Sequence, residues 1–353
     1  MIKQLKDFEG IVLLKQDGTG WEDTLYLYAV DIPSLNIKQC GALIMSDYLQ
    51  QHYSENNFNS SDNWILLNPI ETSIKNKIEQ YGTPLSEWNI QINYGIKTGY
   101  NDAFIIDEST KNALIASDPK SEELIRPILR GKDIKRYTYN FANLWLIYIP
   151  WHFPLHNDPN IKGASVKAEE EFKKQYPAIY SYLEGHKEKL SKRNKAETGI
   201  RYEWYALQRW GSNYSDDFNK PKLMYSEIVQ EPHFYYDDNT HFYPEATTFI
   251  MNGDNLKSLL LILNSKLTFN IFKLFYAGGG LGENGIRYKK AFLLNLRLPK
   301  LDEAANSILE SYYEMLLVNN FQMETCCVIL NEVENYISKL YNLSQSEIDY
   351  LLN

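Results

Sequence analysis

The sequence predicts an α+β fold, in which mixed sheets and helices are followed by a helical C-terminal tail. Strand-like apolar runs recur between residues 63 and 300, and segments with helical periodicity lie between them. Beyond residue 300 the apolar residues recur at helical spacing. With 353 residues, 44% of them hydrophobic and 23% charged, the chain can bury a substantial core and should form about two domains.

The elements ahead of the tail fall into two predicted regions. Residues 1–62 form a lead-in segment that is expected to pack on the next region, with a strand at 24–30 and a polar loop at 54–63. Residues 63–300 form the main domain. Its strands are predicted at residues 64–67, 90–93, 103–106, 144–149, 223–225 and 247–251.

The third region, residues 301–353, is predicted to be helical and acidic. It carries nine acidic residues and one lysine. Ser344 and Glu347 form a capping box ahead of the last apolar residues. We expect this tail to face solvent or another protein segment.

Charge is segregated along the chain. The net charge of −9 taken alone disfavours a nucleic-acid partner, because duplex DNA repels an acidic protein. Three windows nevertheless hold 18 Lys and Arg residues against five Asp and Glu residues: 126–136, 187–209 and 266–297. Each window by itself is equally compatible with a solvated helix face or with a surface that binds phosphates.

Cysteine and histidine usage predicts neither disulfides nor a metal site. Cys40, Cys326 and Cys327 form no C-x-x-C pair, so a reducing cytoplasm is the default expectation. His152 and His156 are separated by a proline and have no acidic pair nearby. The N-terminus lacks an apolar signal segment, and the most hydrophobic stretch, 259–276, is interrupted by polar residues, so no membrane span is expected.

A polar loop at residues 96–101 is the first candidate binding segment. Gly95 and Gly99 permit close approach to a partner, and Lys97, Thr98 and Asn101 offer hydrogen-bonding groups for a phosphate or a base edge. The alternative is a tight connection in which Thr98 and Asn101 satisfy their own turn. Both interpretations stay open.

A second candidate lies in the basic segment 124–137. Pro127 disfavours a helix at the preceding residue, so a short or kinked turn is expected. Arg130 and Lys132 are candidate phosphate ligands, but the uneven spacing of the basic residues predicts that some are structural. Asp133 is the expected internal partner for one of them.

A third candidate is the segment 177–210. Apolar residues from 179 to 190 predict an amphipathic helix, whose outer face carries Lys187, Lys189, Lys192 and Arg193. The aromatic-rich stretch after it contains Arg201, Gln208 and Arg209. Arg can bond guanine and Gln adenine, and each such contact discriminates by about 1–3 kcal/mol. Three aromatic residues of this stretch are predicted to be core: Trp204, Tyr205 and Trp210.

The string Gly-Leu-Gly-Glu-Asn-Gly at 280–285 matches G-x-G-x-x-G but does not predict a nucleotide site. It follows a helix-like aromatic segment and lacks the strand, turn and helix of a dinucleotide fold. We expect a flexible glycine loop whose neighbours Arg287 and Lys289 approach phosphates.

Four segments of the chain, two of which overlap the candidates above, together resemble a known family. They are Tyr-Gly-Ile-Lys-Thr-Gly-Tyr-Asn-Asp-Ala-Phe-Ile-Ile-Asp at 94–107, Leu-Ile-Arg-Pro-Ile-Leu-Arg-Gly-Lys-Asp-Ile-Lys-Arg-Tyr at 124–137, Phe-Asn-Lys-Pro-Lys-Leu-Met-Tyr-Ser-Glu-Ile at 218–228 and Leu-Asn-Ser-Lys-Leu at 263–267. In this order they resemble the TaqI-like C-terminal specificity domain of type II restriction-modification enzymes and adenine-specific DNA methyltransferases. The basic windows coincide with these matches, which favours one DNA-binding groove.

The resemblance implies a DNA target-recognition domain that is non-catalytic by itself. Its partners would be double-stranded DNA and a methyltransferase or nuclease region, in the same chain or in a separate subunit, with S-adenosylmethionine bound only there. Bases would be recognised mainly in the major groove by loops 96–101, 193–210 and 278–290. A single recognition copy favours the fused type IIG arrangement. The sequence itself contains no Asn/Asp-Pro-Pro-Tyr/Phe motif for adenine methylation.

Two other functions remain open at this point. One is an acidic module that imitates DNA and binds a restriction-modification enzyme, which would need its acidic residues arrayed on one face. The other is a complete enzyme with an unrecognised site, which would transfer methyl groups to DNA unaided.

Overall fold

The computed structural model describes residues 10–16, 25–31, 53–57, 67–277 and 285–352. The chain divides into two compact units, residues 1–80 with 343–351 and residues 81–342. The fold is α+β with several mixed sheets, as predicted. The regional boundaries at residues 62 and 300, and the packing of the lead-in segment, stay predictions.

The elements run in chain order as follows. The strands are β1 Gly10–Gln16, β2 Leu25–Asp31, β3 Tyr53–Asn57, β4 Gly82–Pro84, β5 Ile90–Tyr94, β6 Ile105–Asp107, β7 Ile125–Leu129, β8 Leu144–Ile147, β9 Lys222–Ser226, β10 Ile228–Val229, β11 Phe234–Asp237, β12 Tyr243–Pro244, β13 Thr248–Gly253, β14 Ile286–Arg287 and β15 Arg297–Pro299. The α-helices are α1 Pro69–Tyr81, α2 Asn101–Phe104, α3 Glu108–Ser117, α4 Val166–Gln175, α5 Pro177–Glu184, α6 Lys187–Ser191, α7 Leu256–Asn264, α8 Lys266–Phe275, α9 Lys290–Asn295, α10 Glu303–Val318, α11 Met323–Leu340 and α12 Gln345–Leu352. Short 3-10 helices occupy Leu85–Glu87, Pro119–Leu124, Gly131–Asp133 and Ser215–Asn219.

The first unit contains an antiparallel sheet in the order β1-β2-β3. The predicted strand at 24–30 is confirmed by β2. The loop predicted over 54–63 is wrong for its first residues, because β3 covers them and pairs with β2 from Tyr53 to Asn57. A polar edge strand needs backbone pairing rather than an apolar face, which composition does not reveal. The remaining residues of that loop, and the strand predicted at 64–66, lie outside the described residues.

The central sheet of the second unit is antiparallel and has the order β11-β9-β13-β5. Its inner strands β9 and β13 are almost continuously buried, as their apolar runs predict. Strands predicted at 90–93, 223–225 and 247–251 are therefore confirmed. β5 lies at the edge, and its last residue, Tyr94, is paired with Phe249.

A second sheet of this unit has the order β12-β7-β8-β6, with β12 parallel to β7 and the other pairs antiparallel. The strand predicted at 144–149 is confirmed by β8. The strand predicted at 103–106 is only partly right. A helical turn, α2, buries Ala103 and Phe104, and pairing with β8 begins at Ile105.

Helices α4, α5 and α6 cover an aromatic part of the core, where Phe172 and Tyr205 stack with ring centroids 4.6 Å apart. The single amphipathic helix predicted over 177–190 is broken between α5 and α6 at Gly185 and His186. Gly185 favours the end of a helix. The apolar face is nevertheless buried as predicted.

A buried ion pair joins β9 to the end of β11. Lys222 and Asp237 are fully buried, and their Nζ and Oδ2 atoms are 2.7 Å apart. Lys222 also donates to the carbonyl oxygen of Phe218, and Asp237 accepts three backbone N–H groups from residues 240–242. Burial lowers the pKa of Lys222, although Asp237 opposes this effect. Lys222, the second lysine of the 218–228 motif, is therefore structural.

The C-terminal region is helical, as predicted, through α10, α11 and α12. Glu334 of α11 accepts hydrogen bonds from Ser265 Oγ at 2.6 Å and from the backbone N–H groups of Lys266 and Leu267. This carboxylate lies at the N-terminus of α8, where the helix dipole favours a negative charge. Part of the acidic tail thus serves internal packing.

Within the described residues, no single helix is long and apolar enough to cross a membrane. The helices α7 and α8, whose axes differ by 70°, are together long and apolar enough for a membrane span, by length and composition only. Most of the apolar side chains of this pair are buried inside the protein.

Candidate functional site

The predicted polar loop and the predicted aromatic-rich stretch lie side by side. Lys97 and Arg209 form an antiparallel bridge, in which each backbone N–H donates to the other's carbonyl oxygen at 2.9 Å. On the other side of the loop, Ile96 bridges to Glu245. Two segments more than one hundred residues apart in sequence therefore present Lys97 and Arg209 together, and both side chains are exposed.

Gly99 allows this close packing. Its φ is +78°, in the left-handed region that favours glycine. A Cβ atom there would lie 2.8 Å from Oε1 of Gln208 and 2.9 Å from Cδ of Arg193. The glycine noted in the sequence is thus required by the protein's own packing.

Arg193 holds the two segments together. Its guanidinium donates to the backbone carbonyl oxygen of Thr98, and to those of Trp204 and Ala206 at 2.7 Å. Burial lowers the pKa of Arg193 to about 10. The predicted role of Arg193 as a DNA ligand is therefore replaced by a positioning role. Sequence reasoning had no means of finding this contact, because the carbonyl of Thr98 lies 95 residues before Arg193 and those of Trp204 and Ala206 lie 11 and 13 residues after it.

Thr98 and Asn101 bond to each other within their own turn, as the alternative interpretation of this loop predicted, but Asn101 does so only in part. Thr98 is buried, donates from Oγ1 to Oδ1 of Asn101 at 2.5 Å and accepts from the backbone N–H of Tyr100. Asn101 is exposed, and its amide nitrogen has no hydrogen-bond partner in the part of the chain that the structure describes. Of the two, only Asn101 keeps a group to offer a ligand.

Tyr94 lies between two cationic groups, the exposed Arg209 and the half-buried Lys290. Its side chain is 44% exposed. The guanidinium of Arg209 lies 5.5 Å from its ring centroid and Nζ of Lys290 lies 6.0 Å from it, while Phe249 packs against it at 5.1 Å. We call Tyr94, Lys97, Arg209 and Lys290 the basic cluster. Tyr94 was missed in the sequence, where an aromatic residue ending a strand gives no sign of its exposure.

An open cavity of about 380 Å³ lies beside the basic cluster. Its aromatic lining residues are Trp151, Trp210 and Tyr214, and its polar ones include Lys97, Glu197, Gln208, Arg209 and Asn213. Trp204 and Tyr205 are buried in the core as predicted, whereas Trp210 is half-buried and lines this cavity.

The basic residues predicted to bind phosphate differ in their internal partners. Arg130 forms a bidentate pair with Asp133, at 2.8 Å from Nε and 2.7 Å from a terminal nitrogen, which confirms the internal partner predicted for this segment. Burial on its own would raise the pKa of Asp133, but hydrogen bonds from Arg130 lower it overall. Arg130 is therefore largely committed to its own turn.

Lys192 and Arg201 are paired with acids on the protein surface. Lys192 lies 2.6 Å from Glu188, and Arg201 lies 2.9 Å from Glu197. Both basic side chains are more than half exposed. Exposed pairs of this kind are worth about 0–1 kcal/mol, so a phosphate can displace the carboxylate.

The other predicted residues lie in three different elements, a 3-10 helix for Lys132, strand β14 for Arg287 and the N-cap position of α9 for Lys289. Lys132 is exposed, and the adjacent Gly131 donates its N–H to Oγ1 of Thr247 at 3.2 Å. Arg287 is half-buried in β14, and Lys289 is exposed with its Nζ 5.3 Å from the ring centroid of Phe292. The glycine loop at 280–284 lies outside the described residues.

The described residues contain no group of three or more His, Cys, Asp or Glu side chains that could hold a metal ion. His152 instead pairs through Nδ1 with Oε1 of Glu203 at 3.0 Å. Cys326 and Cys327 are free thiols, and Cys40 lies outside the described residues.

Residues 126–281 match the TaqI-like C-terminal specificity domain, which confirms the resemblance predicted from the sequence. The chain is 22% identical over 268 residues to the Type II methyltransferase M.MjaIV of Methanocaldococcus jannaschii, with 71% of this chain and 81% of the relative covered. It is 26% identical over 176 residues to the Type II methyltransferase M.BanIII of Aneurinibacillus aneurinilyticus, with 48% of this chain and 30% of the relative covered.

The fold is also similar to that of a solved structure, the Type IIL restriction-modification enzyme MmeI in complex with DNA. The TM-score is 0.52 at 14% sequence identity, and the match covers 76% of this chain and 35% of that one. The chain thus spans about a third of the length of that enzyme. At this identity the likeness concerns the fold alone.

Proposed function

We propose, from the match of residues 126–281 to the TaqI-like C-terminal specificity domain, that this chain is a DNA target-recognition region of a type II restriction-modification methyltransferase. In this proposal it contacts double-stranded DNA through the basic cluster and the turns beside it. The observation that carries the proposal is the convergence of segments 94–97, 209–214 and 286–290 on Tyr94.

The basic cluster is suited to DNA because its cations lack internal acidic partners. Within the described residues, neither Lys97 nor Arg209 makes a side-chain hydrogen bond or ion pair. Lys290 donates only to the backbone carbonyl oxygen of Ile92. Phosphate oxygens would supply the missing anionic partners, and the exposed guanidinium of Arg209 has the fork geometry that bonds guanine bidentately.

The chain is proposed to be non-catalytic by itself and to direct adenine methylation or cleavage by a partner region. That region would lie in the same parent chain, as in a type IIG enzyme, or in a separate subunit, and would hold S-adenosylmethionine. Support comes from the lack of an adenine-methylation motif in the sequence and from the methyltransferase names of two relatives. A cytoplasmic location belongs to the same proposal.

Fluorescence anisotropy with labelled duplexes tests this function. Arg209→Ala and Lys97→Ala should weaken duplex binding by roughly tenfold each, since each removes a contact worth about 1–3 kcal/mol. Arg209→Ala should also narrow the difference in affinity between preferred and other DNA sequences. Lys257→Ala is the matched control, because Lys257 pairs with Glu314 of the acidic tail at 2.6 Å. Equal affinity of the wild type and both cluster variants at low salt would exclude this surface.

A further inference from the structure

We propose that the cavity beside the basic cluster receives one unstacked nucleobase of the bound duplex, with a preference for the keto bases thymine and guanine. The inference rests on the proposed function and adds a binding site to it. The cavity is lined by Trp210 and Tyr214, together with Gln208, Lys97 and Arg209.

The size of the cavity favours a single base. Its volume of about 380 Å³ lies at the small end of the roughly 300–1,000 Å³ typical of small-molecule sites, so it admits one base but not a base pair. It opens to solvent next to the exposed cations that would hold the flanking phosphates. A base leaving the stack would therefore enter it without crossing the protein core.

The Trp210 ring is the available stacking surface. Trp151 has Tyr202 stacked on it at 4.8 Å and the Arg201 guanidinium over its ring at 5.4 Å. Tyr214 packs edge-on against Phe218 at 5.8 Å. Trp210 has no ring partner among the residues described, although it is only half-buried. Stacking of a base on such a ring is worth about 1–3 kcal/mol and tolerates any base.

The polar lining favours bases that present carbonyl oxygens. The ammonium of Lys97, the guanidinium of Arg209 and the indole N–H of Trp210 are donors only, whereas Ser212, Asn213 and Tyr214 of the same lining can donate or accept. The carboxylate of Glu197, the one acidic lining group, already accepts from Asn194 at 2.6 Å and Arg201 at 2.9 Å. Gln208 makes no side-chain hydrogen bond with any described residue and can accept from the ring N–H of thymine or guanine. Thymine and guanine each offer a carbonyl oxygen to these donors and a ring N–H to Gln208. Cytosine has a carbonyl oxygen but no ring N–H, and adenine has neither, so thymine and guanine match this lining best.

Tyr94 is placed to occupy the position that the base vacates. It is exposed, ends β5 and is held by Phe249, while Arg209 joins it to the cavity. Side chains inserted between base steps unstack them at a cost of a few kcal/mol per step. A rigid exposed ring beside a base-sized cavity gives both parts that an unstacked base requires.

The test compares three duplexes of one sequence, one fully paired, one with a single unpaired thymine and one with a single unpaired adenine. Anisotropy titrations use the full chain at fixed salt. The unpaired thymine should raise affinity by on the order of tenfold over the paired duplex, because its unpairing has already occurred. The unpaired adenine should raise affinity less.

Variants locate the effect in the cavity. Trp210→Ala should abolish the preference for the unpaired thymine, and Trp210→Phe should retain it. Tyr312→Ala, a half-buried aromatic of α10, is the control that should leave the preference unchanged, and thermal unfolding checks that each variant is folded.

The outcomes distinguish failure of the base site from failure of the proposed function. Binding of all three duplexes with equal affinity would overturn the base site while leaving the proposed function intact. Persistence of the preference in Trp210→Ala would do the same, and equal gains for thymine and adenine would overturn the keto preference. Binding of no duplex at any salt concentration would overturn the proposed function itself.

Discussion

At the scale of single residues, the basic cluster depends on groups that do not face the ligand. Arg193 donates to the carbonyl oxygens of Thr98, Trp204 and Ala206, so one guanidinium fixes two of the three segments that carry the cluster. Gly99 leaves the room that this guanidinium and Gln208 require. A positioning arginine and an exposed binding arginine look alike in a sequence, and only their carbonyl partners separate them.

Gly99→Ala should destabilise the protein and weaken DNA binding together. A φ of +78° costs an L residue roughly 1–2 kcal/mol, and the new Cβ would also displace Gln208 or Arg193. Gly199→Ala is the matched control, since its φ of +76° carries the same strain but a Cβ there meets nothing within 4 Å. Urea unfolding should show a larger loss of stability for Gly99→Ala than for Gly199→Ala. Anisotropy should show a loss of DNA affinity for Gly99→Ala only. Identical behaviour of the two variants would contradict the packing role of Gly99.

At the scale of elements, the first unit shows two helices joined by a charged group. Glu347 of α12 accepts from Nζ of Lys77 and from Oγ of Ser73, both in α1 and both at 2.6 Å. It also accepts from the backbone N–H of Ser344, which is the glutamate half of the predicted capping box, while the Ser344 hydroxyl donates to the same carboxylate. One carboxylate therefore caps its own helix and attaches it to another.

Acid should loosen this junction. Burial would raise the pKa of Glu347, but the hydrogen bonds from Lys77, Ser73 and Ser344 lower it from 4.5 to about 2. The carboxylate therefore stabilises the folded state at pH values above the ordinary pKa of glutamate. This stabilisation declines as the pH falls from about 5 toward 2. The free energy of unfolding should fall less between pH 6 and pH 3 in Glu347→Gln than in the wild type, by about 1–2 kcal/mol.

Urea titrations followed by circular dichroism at the two pH values measure this difference. Glu79→Gln is the control, because Glu79 is half exposed in α1 and lies 3.8 Å from Lys75. An unchanged pH dependence in Glu347→Gln would show that the junction does not contribute.

At the scale of the whole molecule, a chain with a net charge of −9 still gathers three cations without acidic partners, Lys97, Arg209 and Lys290, around Tyr94. Acidic groups of the tail are used internally, as Glu334 is at α8, or pair with basic side chains, as Glu314 does with Lys257. DNA binding depends on the field near the phosphates, which is screened beyond about 10 Å at 0.1 M salt. The net charge therefore does not decide whether the partner is DNA. The basic cluster is the opposite of the acidic face that a protein imitating DNA would need.

Duplex affinity should fall steeply with salt despite the acidic net charge. Each neutralised phosphate contributes about −0.9 to the slope of log K against log salt concentration, so Lys97→Ala should reduce the magnitude of the slope by about one. Anisotropy titrations between 50 and 200 mM salt, roughly the range in which such effects are large, measure this slope. A salt-independent affinity would contradict a phosphate-binding surface.

The sequence by itself determined the α+β class, the strands β5, β8, β9 and β13 of the two sheets and the helical tail, because burial imposes a period on apolar residues that local inspection reveals. It also identified Arg209, Gln208 and Lys97 as candidates. The tertiary structure decided which basic side chains stay available, since pairing Lys97 with Arg209, burying Arg193 and exposing Tyr94 depend on contacts between distant segments. Side-chain type sets what a residue can bind, but its neighbours across the fold determine whether it is free to do so.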